Sequence, residues 1–313
     1  VGDFGRQHAR VYAGLEEADL VGIFDADRAR AEAAAKEFGT VALASVDELA
    51  AKAQAASVAV PTLEHASVGA LLLGRGLDVL VEKPMATTLT EADQLVEAAG
   101  RGGRILQVGH VERFNPAVVA AAKTIAQPLF FEVHRLGVFS PRSLDVDVVY
   151  DVMIHDLDIL LSLAGPVADV KAVGIPVVTD KVDIAHARLE FEAGAVANVT
   201  ASRISTERVR KLRFFQRHEY VSVDFARRDA LRIRVTQPGP TPKFGFEKLE
   251  VGTEEPLLSE LRAFLAAVRT RQAPLVDGAA GRRALELADR VMASLREHAE
   301  RVPVPAAASQ AGS

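Results

Sequence analysis

Cysteine and tryptophan are both absent from this 313-residue chain. Without cysteine there is no disulfide, no thiolate zinc site and no thiol nucleophile. Aromatic residues are few, at 5%, and they are not interleaved with lysine and arginine. Excess positive charge is lacking as well. Lys and Arg number 37 against 42 Asp and Glu, a formal net charge of −5. A nucleic-acid partner is therefore not expected. Long apolar runs are missing too. The apolar blocks are four to eight residues long, against the roughly 18 that a membrane span needs. No secretory leader pattern opens the chain, and a cytoplasmic location is expected. What the chain does have is 49% apolar residues, enough for a sizeable core. Its length suits about two domains.

The first part alternates short apolar blocks with helix-like stretches. Leu20–Phe24 reads as a strand, Asp27–Phe38 as a helix, and Gly39 stands where a C-cap belongs. Ser45 with Glu48, and Thr88 with Glu91, have the spacing of capping boxes. Ser57–Pro61, Leu77–Val81 and Arg104–Gly109 read as strands, and His65–Gly74 as a helix. Asn115 followed by Pro116 is an N-cap with proline at the first helical position. Nearly continuous apolar strands that alternate with helices predict a parallel sheet covered on both faces.

After about Lys123 the period changes to two. In Asp183–Phe191, Ala185, Ala187, Leu189 and Phe191 share one face, and His186, Arg188 and Glu190 the other. Tyr220–Phe225 and Leu231–Val235 alternate in the same way, the pattern of an antiparallel sheet with one wet face. One helix, Val152–Leu163, interrupts the strands, and two more, Pro256–Arg271 and Ala279–Glu300, close the chain. The expected fold is α/β: a doubly wound parallel sheet over residues 1–120, then an α+β domain with a large, mostly antiparallel sheet over 121–300. The last helices are expected to pack back on the first domain. Residues 301–313 read as a disordered tail. Apolar residues of Ala195–Ala201 are the candidates for an exposed sheet face that binds a second subunit.

The chain opens Val1-Gly2-Asp3-Phe4-Gly5. With one glycine before Val1 this is the second half of G-x-G-x-x-G, and the first strand of such a sheet is missing from the sequence. Gly2 lets backbone approach a pyrophosphate, and Gly5 lets the helix pack close to its strand. Asp25 lies 20 residues beyond Gly5, where an acid bonds the ribose 2′-hydroxyl. That carboxylate favours NAD over NADP, a preference that Arg28 blurs. The plainer reading of this half-motif is a tight strand–helix turn that uses glycine for geometry alone.

Two further clusters carry chemistry. Glu82-Lys83-Pro84 directly follows a strand, at the end of a parallel sheet where ligands bind. A lone lysine there is more often a surface residue. Asp151 and His155 lie four apart at the start of a helix. Histidine has an ordinary pKa suited to proton transfer near neutrality. The plainer reading makes Asp151 an N-cap and His155 a packed residue, with Asp156 and Asp158 solvated or paired with the helix dipole. Asp151, His155 and Asp158 also fall at i, i+4 and i+7, but no second ligand cluster accompanies them and no metal is expected.

At these residues the chain resembles the glucose–fructose oxidoreductase, inositol dehydrogenase and MocA family. The resemblance runs through the glycine turn and His8-Ala9-Arg10, then Pro61-Thr62 with His65, Glu82-Lys83-Pro84, and Asp151 with His155. It continues into the closing helices from Pro256. It implies a Rossmann domain, a larger-sheet substrate domain, an active site between them, and oxidation or reduction of a sugar or polyol carbinol with NAD(P). By this resemblance Gly2, Phe4, Gly5, Asp25, Arg28, Pro61, Thr62, His65, Glu82 and Lys83 line the cofactor. Lys83 positions the hydroxyl, His155 takes its proton, and Asp151 holds substrate or tunes His155.

Within the family, Val108–Ala117 and His134–Leu160 are similar to enzymes that oxidise C3 of UDP-N-acetylglucosamine for a lipid A-type lipid. Arg113, Asn115, Arg135, Ser140 and Arg142 would then contact the sugar nucleotide, since arginine forks suit a diphosphate. The plainer reading makes several of them surface arginines. Family resemblance further implies a homodimer or homotetramer. Other functions stay open: a free sugar or polyol dehydrogenase, a glycoside hydrolase that retains NAD and uses Tyr150 or His155 as base, and a non-catalytic dinucleotide-binding remnant.

Overall fold

The computed structural model describes residues 1–140 and 146–301. The expected tail from 302 onward lies outside them. The chain forms two compact units. One comprises residues 1–124, 227–230 and 249–286, and the other 125–226, 231–248 and 287 onward.

In the first unit, strands β1 (Ala55–Val58), β2 (Asp78–Glu82) and β3 (Leu106–Gly109) pair in parallel in that order. All of β2 is buried, as a parallel strand covered on both faces should be. The helices are α1 (Asp3–Ala13), α2 (Arg28–Phe38), α3 (Val46–Lys52), α4 (His65–Gly74), α5 (Leu89–Gly102) and α6 (Pro116–Ala122). Their ends obey local rules. Asp27 accepts the Arg30 N–H, and Gly39 closes α2 in the left-handed region at φ 70°. Thr88 and Glu91 form the complete capping box. Ser45 accepts from Glu48 N, but the Glu48 carboxylate takes the Ala44 N–H instead of the cap's own.

Leu20–Phe24 does not form the expected ladder. It makes a single parallel bridge, Ile23 to Ala42. Its partner segment is confined between the left-handed Gly39 and the α3 cap at Ser45, which leaves room for little more. Helix α8 (Pro256–Thr270) belongs to this unit, although it falls within the range read as the substrate domain. Its Leu257, Leu261 and Phe264 bury against Val11, Leu15, Leu80 and Ile105. Each fully buried side chain of this size contributes about 1.5–3 kcal/mol.

The second unit is built on an eight-stranded sheet. Its strands are β4 (Pro128–Leu136), β5 (Val167–Ile175), β6 (Ile184–Phe191), β7 (Val196–Ser202), β8 (Val209–Gln216), β9 (Glu219–Asp224), β10 (Asp229–Gln237) and β11 (Lys243–Lys248). They run in the order β11-β10-β9-β8-β4-β7-β6-β5, with β4 and β7 parallel. Ala185, Ala187, Leu189 and Phe191 are buried and His186, Arg188 and Glu190 are exposed, as the alternation predicts. Phe131 packs against Phe191 and Phe214 at 6.3 and 5.9 Å between ring centres. Ala195, Ala197, Val199 and Ala201 lie on this same buried face, so they cannot be the exposed docking surface. The open face instead carries Phe130, Phe215 and Tyr220 in a row, with ring centres 5.8 and 5.0 Å apart.

Helix α7 (Ile154–Ala164) is preceded by a π turn, Val149–Met153. Its approach is fixed by the β5–β6 loop. Asp183 is fully buried, and its Oδ2 accepts the N–H groups of Val177, Val178 and Thr179 at 2.8, 2.7 and 2.9 Å. Asp147 Oδ1 accepts the Val182 N–H at 2.8 Å, and Arg203 donates to the Val146 carbonyl. Helix α9 (Gly278–Arg301) contributes Ser294, whose hydroxyl accepts the Ala172 N–H.

Burial alone would raise the Asp183 carboxyl, but these backbone donors hold it at about 2, below the ordinary 3.8. A depressed folded-state value stabilises the fold above pH 3.8, and the benefit disappears as pH falls through 2. The shift corresponds to roughly 2 kcal/mol. Asp183→Asn should therefore unfold at lower denaturant than the parent at neutral pH. The gap should narrow as pH falls from 4 towards 2, and urea titrations across that range check it. A gap independent of pH would assign the loss to packing instead.

Candidate active site

Glu82 ends β2 and Lys83 follows it. Glu82 is buried, and its Oε1 lies 3.0 Å from His8 Nε2, itself buried on α1. The second oxygen, Oε2, accepts the Lys83 backbone N–H at 3.3 Å. The carboxylate lies against β3 so closely that any side chain at Gly109 would collide with it. Glu82 is thus held inside the unit by His8, while Lys83 is half-buried at the strand end. His65 is buried as well. Its Nδ1 and Nε2 face the carbonyls of Pro84 and Val60 at 2.8 and 2.9 Å. It joins the loop of Pro61 and Thr62 to the turn that carries Lys83. Beneath them, Tyr12 bonds Ser57 at 2.8 Å. Burial pushes the Tyr12 hydroxyl up, opposed by that hydrogen bond and assisted by the Glu260 and Glu82 carboxylates.

The start of α1 fits a dinucleotide. Gly2 occupies the N-cap without any side-chain cap, and a Cβ on it would meet nothing within 4 Å. Open backbone at a helix N-terminus is what a pyrophosphate requires. Gly5 is buried, with Ala59 3.7 Å from where its Cβ would stand. Phe4 is exposed. Asp25 follows the Leu20–Phe24 segment and accepts the Asp27 N–H at 2.8 Å. The guanidinium near it belongs to Arg30, at 3.9 Å. Arg28 turns away to Glu32 at 2.7 Å and to the carbonyls of Ala42 and Leu43. Arg28, the arginine singled out from the sequence, and Arg30 differ in helix phase, and it is Arg30 that lies nearer Asp25.

The remaining residue of this unit's cluster, Asn115, is buried. Its Oδ1 caps α6 through the Ala117 N–H at 3.1 Å, and its Nδ2 donates to Glu112 at 3.0 Å. Arg113 is half-buried in the 3₁₀ turn Val111–Phe114 just before it.

In the second unit Asp151 lies in the π turn and His155 in the first turn of α7, both half-buried. π turns occur often at functional sites. Asp156 and Asp158 are not solvated as expected; they are 0% and 2% exposed. Asp156 receives both Nε and Nη2 of Arg135 at 2.8 Å. Arg135 is itself buried on β4, with its guanidinium 4.8 Å from the Phe225 ring centre. Its fork therefore meets a carboxylate of its own unit. Ser140 is exposed, and Arg142 lies outside the described residues. Tyr150 donates to Asp289 at 2.6 Å. Burial, then the Asp289 carboxylate, push the phenol well above its ordinary value. Among the described residues no group of three His, Asp or Glu side chains could hold a metal. No described helix is long and apolar enough to cross a membrane.

His8, Arg30, Gly109 and Asp183 were not singled out as site residues from sequence. His8 had one usable signal. With Gly5 and Tyr12 it lies at i, i+3 and i+7 on one helix face, and a buried histidine there needs a partner.

A family model described as an oxidoreductase family with an NAD-binding Rossmann fold matches residues 1–110. The GFO/IDH/MocA C-terminal domain matches residues 122–218. A UDP-N-acetylglucosamine 3-dehydrogenase from Acidithiobacillus ferrooxidans is 38% identical over 308 residues, covering 96% of this chain and 97% of that protein. A solved structure of that enzyme superposes with a TM-score of 0.89 at 36% identity, covering 95% of this chain and 96% of its own. Levoglucosan dehydrogenase, solved with NADH and L-sorbose, shares the fold at a TM-score of 0.86 and 20% identity over 95% of each chain.

Proposed function

Starting from the premise that the chain belongs to the GFO/IDH/MocA oxidoreductase family, we propose that it is the dehydrogenase of a sugar nucleotide, oxidising C3 of UDP-N-acetylglucosamine with NAD. The observation that carries this reading is the full-length likeness to a UDP-N-acetylglucosamine 3-dehydrogenase. Its chemical support is the presence of Lys83 after β2 and of Asp151 and His155 at the start of α7. The first unit takes the dinucleotide at Gly2, Phe4 and Gly5, with Asp25 on the ribose. The second takes the sugar.

Bound nicotinamide supplies the hydride acceptor. His155 removes the hydroxyl proton as the carbinol carbon is oxidised, a role worth about 10²–10⁴-fold in rate. Asp151 orients the substrate or His155. The Lys83 ammonium stabilises negative charge on the developing alkoxide. Arg113, Ser140 and Arg142 are assigned to the sugar nucleotide. Arg135 and Asn115, both buried and bonded within their own units, are assigned a supporting role. His65 and Glu82 have the same supporting role towards Lys83. The product is a 3-keto sugar nucleotide, suited to amination for a lipid A-type lipid.

With UDP-N-acetylglucosamine and NAD, the protein should produce reduced nicotinamide, followed by its absorbance. Lys83→Met and His155→Ala should each lower kcat by at least about 10²-fold. Intact cofactor binding without turnover would reject this substrate and favour a free sugar or polyol.

Cofactor choice gives a second expectation. Asp25 repels a 2′-phosphate, and Arg30 stands ready to receive one once that carboxylate is gone. Asp25→Ser should raise the NADP to NAD ratio of kcat/KM by on the order of tenfold, equivalent to about 1.4 kcal/mol. An unchanged ratio would remove Asp25 from the ribose.

The open face of the eight-stranded sheet suits a second copy of the chain. Phe130, Phe215 and Tyr220 stack across it, and Phe244 and Phe246 are 53% and 71% exposed on β11. The assembly expected is a homodimer or homotetramer. Phe215→Asp should lower the mass seen by light scattering, and a parent that is monomeric at micromolar concentration would sink the idea.

A further inference from the structure

Arg135 joins the centre of the large sheet to the helix that bears His155. It lies on β4, which is paired on one side to β7 and on the other to β8, so its backbone is fixed from both sides. The guanidinium is fixed again by the Phe225 ring at 4.8 Å. From this anchored position Nε and Nη2 reach the two oxygens of Asp156, each at 2.8 Å. Both partners are nearly or wholly buried, at 5% and 0% exposed. Asp156 is the residue immediately after His155.

Much of the rest of α7 is held by contacts of another kind. Ile154, Leu157, Ile159 and Leu160 are buried apolar side chains, and apolar burial carries no directional preference. Packing of this kind holds the helix by shape but supplies no donor–acceptor direction to fix its rotation. The preceding π turn widens the hydrogen-bond ring where the helix begins, and the helix's own backbone bonds, being internal, do not fix its rotation against its neighbours. Two parallel N–H···O⁻ bonds do have a required geometry. A rotation that moves the His155 imidazole also moves Asp156, and the fork resists it.

We infer that Arg135 is a positioning residue: through its two bonds to Asp156 it sets the rotation of α7 and so the direction of the His155 ring. This rests on the reading of His155 as the proton acceptor. It also replaces the assignment of the Arg135 fork to the substrate diphosphate.

Two variants test the inference. The first is the double variant Arg135→Met with Asp156→Leu. Replacing a buried ion pair by apolar residues of similar volume is often neutral or stabilising. It therefore separates stability from positioning. The second is Arg135→Lys, which keeps the charge and loses the fork. For each, Tm, kcat, KM, NAD affinity and the His155 ring resonance in proton NMR are measured, with His155→Ala used to assign that resonance.

Both variants should lose about 10²-fold in kcat, the usual cost of a displacement near 1 Å. KM and NAD affinity should stay near the parent's. The His155 signal should broaden or split. The double variant should do this while keeping the parent's Tm. Parent kcat in a double variant of parent Tm would overturn the inference. If the double variant does not fold, parent kcat in Arg135→Lys overturns it. A large rise in KM alone would overturn it in favour of substrate contact. Should the parent not turn over UDP-N-acetylglucosamine, the proposed function fails, and the His155 resonance still decides: an unchanged signal in the variants overturns the positioning role, and a split signal supports it.

Discussion

A carboxylate removed from water costs several kcal/mol unless another charge or several N–H groups meet it. Much of this molecule's site geometry follows from that constraint. Glu82 is met by His8 and by the backbone of Lys83. Asp156 is met by the Arg135 fork. Asp183 is met by three backbone N–H groups and the Thr179 hydroxyl. For Glu82 and Asp156 the partner comes from a different element, so satisfying the charge also fixes two elements against each other, whereas the Asp183 bonds close the β5–β6 loop on itself. Each of these three acids also adjoins or braces a residue assigned to catalysis. Glu82 precedes Lys83, Asp156 follows His155, and the Asp183 loop holds the segment that leads to Asp151.

The first of these pairs has consequences along the chain. Because Glu82 folds back over β3, the facing position has to be free of a side chain, and Gly109 occupies it. Because its partner is on α1, His8 must stand one turn beyond Gly5. The helix whose open N-terminus suits a pyrophosphate is thereby bonded to the strand end that carries Lys83. His65 adds a second tie, from α4 to the Pro84 carbonyl. Lys83 is thus held in the chain between Glu82 and Pro84, each tied to another helix.

What could be read in the sequence was mostly local. Asp27, Gly39, Thr88 with Glu91, and Asn115 mark helix ends because each makes its bond within a few residues. Lys83, Asp151 and His155 stood out through their motif context. Pairing across distance did not show. Arg135 and Asp156 are 21 residues apart on a strand and a helix, so each looked like a group for solvent or ligand. The alternation of Ala195–Ala201 revealed two faces but not which one another layer covers. The π turn before α7 was equally hidden, since a side-chain pattern shows the spacing of a face and not the hydrogen-bond ring beneath it.

The distinction between alcohol oxidation and glycoside cleavage turns on a base. Cleavage through a transient ketone needs a group to take the proton from the carbon beside it, in addition to the group that takes the hydroxyl proton. Tyr150 is the residue close to His155 in sequence that could share the work. Its hydroxyl is engaged as a donor to Asp289, and that carboxylate together with burial keeps the phenol protonated. Ionising it would place two negative charges 2.6 Å apart in a half-buried pair. Under the proposed function, His155 would then have to supply both proton transfers. Oxidation of a carbinol asks for only one of them, and one well-placed imidazole meets that demand.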